Sequence, residues 1–366
     1  MDFNPSDLQR MLLDSAERYL SERFTLEHRR SLRETPDGLD TDAWEKFAEL
    51  GWLALAIPED LGGLGGSMAD VAALATALGY SCVSQPFTST AVVAPIILAG
   101  ADDVQTDLIE EIVGGSARIA LAHDEIGDRY DYSEPRGTSL TGGGNGQVLN
   151  GQKMVVIDAP SATHLIVSAN EGDELVLVLV PVDAAGTEQS PYPLHDGTRA
   201  ADIRFDGVEG GLVLARGDKA RDLLAKALDH GRVAYAAQMV GSMEADLALC
   251  SSYLKERQQF GQPIGKFQAL QHIMADMFVA THQARSILYF SLSTIDASAE
   301  ERARAISLAR INISEAYQIV ARQAIQLHGG YGITDEYDVS HHYRYQMVLE
   351  KLYGDAAFYE RRLASL

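Results

Sequence analysis

The chain has 366 residues and is 46% hydrophobic, enough to bury a large core and to divide into two or three domains. Its 30 Lys and Arg stand against 52 Asp and Glu, a formal charge of -22 that opposes nonspecific binding to nucleic acid or to an anionic membrane, so an anionic ligand must meet a local positive patch. The two cysteines, Cys82 and Cys250, form neither a metal-ligand spacing nor a disulfide framework, so a reducing cytoplasm is the expected compartment and structural zinc is not expected.

The amino terminus, MDFNPSDLQRMLLDSAERYL, is acidic where a signal peptide is basic, and no stretch reaches the roughly 18 apolar residues of a membrane span, so neither secretion nor membrane insertion is expected. From Pro5 to about Gly115, apolar residues recur at three-to-four spacing in SDLQRMLLDSAERYLSERF, DTDAWEKFAELGWLAL, MADVAALATALGY and VQTDLIEEIVGG. This pattern predicts an antiparallel helical domain. The glycine-rich EDLGGLGGS looks like a phosphate-cradling loop, but it lies between helices rather than after a buried strand. A plain inter-helix turn is expected there, with Ser67 capping the next helix.

From about Ser116 to Gly217 the pattern changes to short β-prone runs: ARIALAH, QVLNGQKMVVID, THLIVSA, LVLVLVPV and RAADIRFDGV, with GGGNG at 142–146 read as a hairpin connection. Long helices return from about Asp218, and the first carries more apolar positions than a solvent-exposed helix would, which predicts burial of more than one face. The order helix, strand, helix fits α+β modules rather than alternating βαβ units. The expected domains are 1–115, 116–217 and 218–366.

Four stretches, in order, carry a resemblance: LAIPEDLGGLG, LNGQKMVV, ERQQFGQPIGKFQALQHIMADM at 256–277, and IQLHGGYGITDEYDVSHHYR. Together they resemble the acyl-CoA dehydrogenase family over essentially the whole chain. The resemblance implies an amino-terminal helical domain, a middle β-barrel-like domain and a carboxy-terminal four-helix bundle, commonly in a dimer of dimers with FAD between subunits. It also implies α,β-dehydrogenation of an acyl-CoA thioester, with proton removal by a base and hydride transfer to the flavin.

The family holds the adenine and pyrophosphate side of a neighbour's flavin through Arg-x-x-Phe and Gln-x-x-Gly-Gly. Arg257 and Phe260 match the first, and Gln326, Gly329 and Gly330 match the second. An arginine bridges phosphate oxygens with its fork of donors, and paired glycines let the backbone approach closely. At the flavin-head side the chain departs from the family. Ala122 stands where a threonine is expected. After Asn150-Gly151-Gln152-Lys153, Val155 replaces the tryptophan and Ile157 the hydroxyl residue, so this chain's own head pocket reads as dismantled; an empty pocket and one filled by side chains both stay open, Val155, Val156 and Ile157 suiting the latter.

The same comparison places the catalytic glutamate at Tyr353, beside the glycine break in VLEKLYGDAAF, or at Gly231 just before Arg232. Neither residue is a carboxylate, and a phenol with an unperturbed pKa of about 10 is a poor base at neutral pH. Asp355 is the fallback base, with a helix N-cap as its other reading. Asp229 and Arg232 match positions facing the acyl-CoA channel, although Arg232 also suits a structural ion pair. His341 and His342 show no third ligand at a metal spacing.

Three readings stay open. In the first, the chain is one half of a hetero-oligomer, an α2β2 tetramer with a second acyl-CoA dehydrogenase chain, similar to pairs that take bulky CoA thioesters in actinobacterial steroid side-chain degradation. In the second it is a self-sufficient homo-oligomer with Asp355 or a neighbour as base. In the third it is a flavin-free scaffold or binding relative.

Overall fold

A computed structural model describes residues 6–132, 135–142 and 146–366. The Cα packing divides the chain into two compact units, one of residues 1–30, 68–83 and 232–366, the other of 31–67 and 84–231.

The first unit is helical. Its amino-terminal helix α1 (Asp7–Arg23) starts at a capping box, with the Ser6 hydroxyl accepting from the Gln9 amide and the Gln9 side chain returning to Ser6. It packs on α4 (Met68–Tyr80), which crosses the long helix α7 (Gly217–Glu256) at two glycines. A Cβ on Gly79 would stand 2.0 Å from the Gln238 carbonyl oxygen, and one on Gly241 1.9 Å from that of Thr76, so the crossing exists only because neither residue has a side chain. Helices α8 (Gln268–Ser293), α9 (Ala299–His328), α10 (Asp338–Leu349) and α11 (Ala356–Ala364) complete the bundle, α9 packing against the other three. Most of α7 from Val233 to Ala245 is buried, the two-faced burial its composition predicts.

The second unit contains α2 from Ser31 onward (the whole helix is Leu26–Leu32), α3 (Thr41–Glu49), α5 (Ala94–Gly100), α6 (Thr106–Val113) and an eight-stranded mixed sheet. The strands are β1 (Ile119–Ala122), β2 (Ser139–Thr141), β3 (Val148–Ile157), β4 (His164–Glu171), β5 (Glu174–Pro181), β6 (Thr187–Pro193), β7 (Arg199–Glu209) and β8 (Leu212–Arg216). Their order is β6-β7-β3-β2-β4-β5-β8, with β1 parallel to β4. This is the sheet expected of the middle segment. The LVLVLV run in β5 is buried at every position, as a strand covered on both faces must be, and it packs with Val156, Leu165, Val167, Ile203 and Phe205.

Two strands escaped the sequence patterns: β6 is a largely exposed edge strand carrying Pro191 and Pro193, and β8 has five residues. The hairpin expected around GGGNG is present as antiparallel β2–β3 pairing, Thr141 opposite Val148; residues 143–145 of that connection lie outside the described residues.

The EDLGGLGGS stretch is a turn that closes on itself. The amides of Gly63, Gly65 and Gly66 donate to the carbonyls of Pro58, Ile57 and Leu55, and a Cβ on Gly63 would fall 2.0 Å from the Ile57 oxygen. Those amides are spent inside the turn and present nothing to a phosphate. Among the described residues no helix is long and apolar enough to cross a membrane.

Candidate active and cofactor site

Both spaced motifs expected to bind flavin lie in the helical unit. After α7 ends, Gln258–Gln259 and Gln262–Pro263 pair as strands β9 and β10 of a two-residue hairpin. Its tip residues, Phe260 (φ +52) and Gly261 (φ +77), are both left-handed, as the tightest hairpins require. A left-handed phenylalanine is strained, and here the strained residue holds its ring 91% exposed, with the edge of Phe267 at 6.0 Å behind it. Arg257 sits at the hairpin base, where its backbone is fixed by bonds to Tyr253 and Ile264 while its side chain is exposed.

The second half lies at the end of α9. Gly329 caps the helix at φ +58, ψ -139, a conformation essentially confined to glycine. A Cβ on Gly330 would meet nothing within 4 Å, so packing within the chain does not account for its bareness. Tyr253, one helical turn before Arg257, places its ring 4.3 Å from that of His328, and its hydroxyl reaches the His328 carbonyl at 3.5 Å. The end of α7 is thereby tied to the Gly329-Gly330 turn. No described residue accepts a hydrogen bond from the Arg257 guanidinium or the Gln326 amide, and both face outward.

The break at Tyr353 is held from three sides. Tyr353 is left-handed (φ +57) and 5% exposed, and its carbonyl oxygen accepts from Arg232 Nε at 2.9 Å and from the Tyr359 hydroxyl at 2.8 Å. Arg310, fully buried on α9, donates to the carbonyls of Leu349, Leu352 and Gly354 at 3.1 to 3.3 Å. Those oxygens include the negative, carboxy-terminal end of α10, which is where a buried cation is favoured. The guanidinium of Arg232 lies 5.3 Å over Phe358, and that of Arg310 lies 5.4 Å over Tyr359. Gly354 (φ +129) must be glycine, because a Cβ would fall 2.5 Å from Phe358.

The other expected residues are placed as follows. The Tyr353 ring meets the edge of Tyr235, with centroids 5.3 Å apart. Asp355 is the N-cap of α11, and its carboxylate accepts from the Phe358 amide at 2.9 Å. Gly231, Asp229 and Arg232 all lie on α7 and are buried. His342 Nδ1 lies 2.7 Å from the Ser242 hydroxyl, and burial lowers the ring's pKa to about 3, so it is a neutral core histidine.

Two residues at the break were missed in the sequence. Glu350 is a second acid beside Tyr353, but it is 8% exposed and its oxygens accept from the Gln318 and Gln346 side chains, which ties α9 to α10. Arg310 lies some forty residues upstream in an ordinary helical pattern; only its charge on an otherwise buried helix face marks it.

In the sheet unit the residues expected to face a flavin head carry no suitable group. Ala122 is fully buried. Val155 sits at a bulge in β3 with φ +50, its amide donating to Asp202 Oδ1 at 3.0 Å and its side chain 43% exposed. Only Val156 joins the core; Ile157 is half-buried, and the bulge leaves Val155 on the exposed side of the strand. Beneath them Lys153, fully buried, donates to Glu125 at 2.7 Å and Ser168 at 3.0 Å. Burial alone would raise the Glu125 pKa, but the Lys153 charge and the donors around it outweigh this and lower it. Asp158, next to Ile157, accepts from the Ser89 hydroxyl at 2.6 Å, and burial pushes its pKa up to about 6.

Comparison with known proteins decides the family. Family profiles match residues 6–116 ("Acyl-CoA dehydrogenase, N-terminal domain") and 221–364 ("Acyl-CoA dehydrogenase, C-terminal domain"). The chain is 30% identical over 322 residues to the probable acyl-CoA dehydrogenase YngJ of Bacillus subtilis, covering 84% of each protein. The chain belongs to the acyl-CoA dehydrogenase family. It is also 30% identical over 328 residues to the acyl-CoA dehydrogenase IpdE2 of Mycolicibacterium smegmatis, covering 89% of this chain and 86% of that one. Among solved structures, a variant of the Tcur3481-Tcur3483 steroid ACAD aligns with a TM-score of 0.89 and 29% identity over 98% of this chain and 96% of that one. The ChsE4-ChsE5 complex of Mycobacterium tuberculosis shares the fold, with a TM-score of 0.90 and 23% identity over 100% and 98%.

Proposed function

We propose that this acyl-CoA dehydrogenase family chain is the cofactor-completing half of a two-chain enzyme that desaturates an acyl-CoA thioester. One contrast carries the reading. The surface that serves a neighbour's flavin is intact at Arg257, Phe260, Gln326, Gly329 and Gly330, whereas Ala122, Val155 and Ile157 offer its own flavin no side-chain donor or aromatic face. FAD, when bound, supplies the hydride acceptor. This chain's part is to bind it: Arg257 neutralises phosphate oxygens, and bare Gly330 lets backbone amides approach them.

The proton-abstracting base belongs to the second chain, because Tyr353 and Gly231 fill both carboxylate positions here and Asp355 is engaged as a cap. Arg232 then acts through the frame around residue 353, its Nε being on the Tyr353 carbonyl, and buried Asp229 lines the acyl-CoA side. The two-chain reading draws support from the similarity to the Tcur3481-Tcur3483 pair, whose name also suggests a bulky, steroid-like CoA thioester. An α2β2 assembly in the cytoplasm, with boundaries at 1–115, 116–217 and 218–366, completes the proposal.

The test is to purify this chain alone and together with a co-expressed second acyl-CoA dehydrogenase chain. The expected results are a colourless lone chain and one flavin for each pair of chains, with an Arg257→Ala substitution in this chain stripping flavin from the pair. A yellow lone chain that is bleached by an acyl-CoA, or one flavin for each chain in the pair, overturns the reading.

A further inference from the structure

The residue following the two open glycines is Tyr331, and its surroundings differ from those of an ordinary surface tyrosine. It is 49% exposed, yet its ring is backed by Tyr337, with centroids 4.4 Å apart and planes 38° apart, and it runs nearly parallel to Tyr253, 6.3 Å away at 23°. Tyr253 in turn rests on His328, and His328 on Tyr337 at 5.0 Å. Four rings therefore form a small pile whose outermost member lies next to Gly330. Two of its rings are held away from charge: burial first, and the neighbouring phenol of Tyr331 second, push the Tyr337 pKa up to about 12, while burial lowers that of His328. Phe260 is also exposed, but its ring rests only edge-on against Phe267, at a hairpin tip. Tyr331 presents a flat face held in place from behind.

A fixed aromatic face beside a phosphate-binding backbone and an arginine suits a flat heteroaromatic ring linked to phosphate. We infer that Tyr331 is the stacking platform for the purine end of the dinucleotide and sets this surface's preference for FAD over a flavin that lacks adenine. The inference rests on the proposed function, since it needs the Arg257–Gly330 surface to receive a flavin dinucleotide at all. It adds a residue outside the Arg-x-x-Phe and Gln-x-x-Gly-Gly pairs, and a reason for the aromatic pile.

The experiment uses the two-chain complex, stripped of flavin and reconstituted with FAD or with FMN, with Kd read from flavin fluorescence. Tyr331→Ala is expected to raise the FAD Kd roughly 10-fold or more while leaving FMN binding and the melting temperature unchanged. Tyr331→Phe, which keeps the ring, is expected to remain within about 2-fold of the parent. Arg257→Ala is the control for the underlying reading and is expected to weaken both flavins. If Arg257→Ala weakens binding but Tyr331→Ala does not, the platform is wrong and the proposed function stands. If neither matters, both fall. Equal losses of FAD and FMN in Tyr331→Ala, or a loss in Tyr331→Phe matching that in Tyr331→Ala, also overturn the platform.

Discussion

Asp355 and Asp246 are acids of the same helical unit in opposite circumstances. Asp355 has a partner, the Phe358 amide, and its work is local. Asp355→Ala should lower stability by about 1 kcal/mol in urea unfolding, and Asp355→Asn, which preserves the cap, should lower it by far less. Turnover of the proposed two-chain enzyme should be unchanged in both, and a loss of turnover in Asp355→Asn would restore this residue as a base. Asp246 is fully buried on α7, and neither carboxylate oxygen has a hydrogen-bond partner among the described residues. Burial pushes its pKa well above the ordinary value of 3.8. Its folded value thus exceeds its unfolded one, so the stability it contributes is complete below 3.8 and is lost as pH rises through the folded value. Asp246→Asn should flatten this dependence. Measured by thermal unfolding between about pH 4 and pH 8, the variant should gain on the parent as pH rises; parallel curves would show the carboxyl to be ionised in the fold.

At the scale of elements, the glycines separate structure from function. Gly241 and Gly79 have the opposing helix where a Cβ would go, and Gly330 has open space. Gly241→Ala should therefore cost roughly 3 kcal/mol, the upper end of overpacking, whereas Gly330→Ala should leave unfolding unchanged and weaken flavin binding by the pair. A thermally intact Gly241→Ala protein would show that the α4–α7 crossing yields easily. The same distinction explains what was legible in the sequence. Helices with caps and periodic apolar faces, such as α1 and α9, and strands with alternating or continuous burial, such as β7 and β5, announce themselves locally. The edge strand β6 does not, because its prolines and exposed side chains look like loop and its pairing with β7 is supplied from a distance. In the site, Arg257, Phe260 and the glycine pair were visible as spaced motifs. Arg310, Glu350 and the ring pile were not, since their partners come from α10, α7 and the α9–α10 connection, and no local spacing encodes such meetings.

For the whole molecule, a charge of -22 keeps chains apart unless specific apolar faces bring them together. Such a face exists on α8, where Phe278, Val279 and Phe290 are 54%, 51% and 45% exposed. Replacing Phe278 and Phe290 together with glutamate should shrink the assembly measured by light scattering while the melting temperature of the isolated chain holds; an unchanged mass would place the contact elsewhere. The break at Tyr353 has a consequence at this scale too. Arg232, Tyr359 and Arg310 all grip main-chain oxygen, an atom that every amino acid carries. The main-chain grip at that spot is therefore indifferent to which side chain stands there: a lineage could erase a reactive group, or write one back, by a single codon, and these bonds to the backbone would remain.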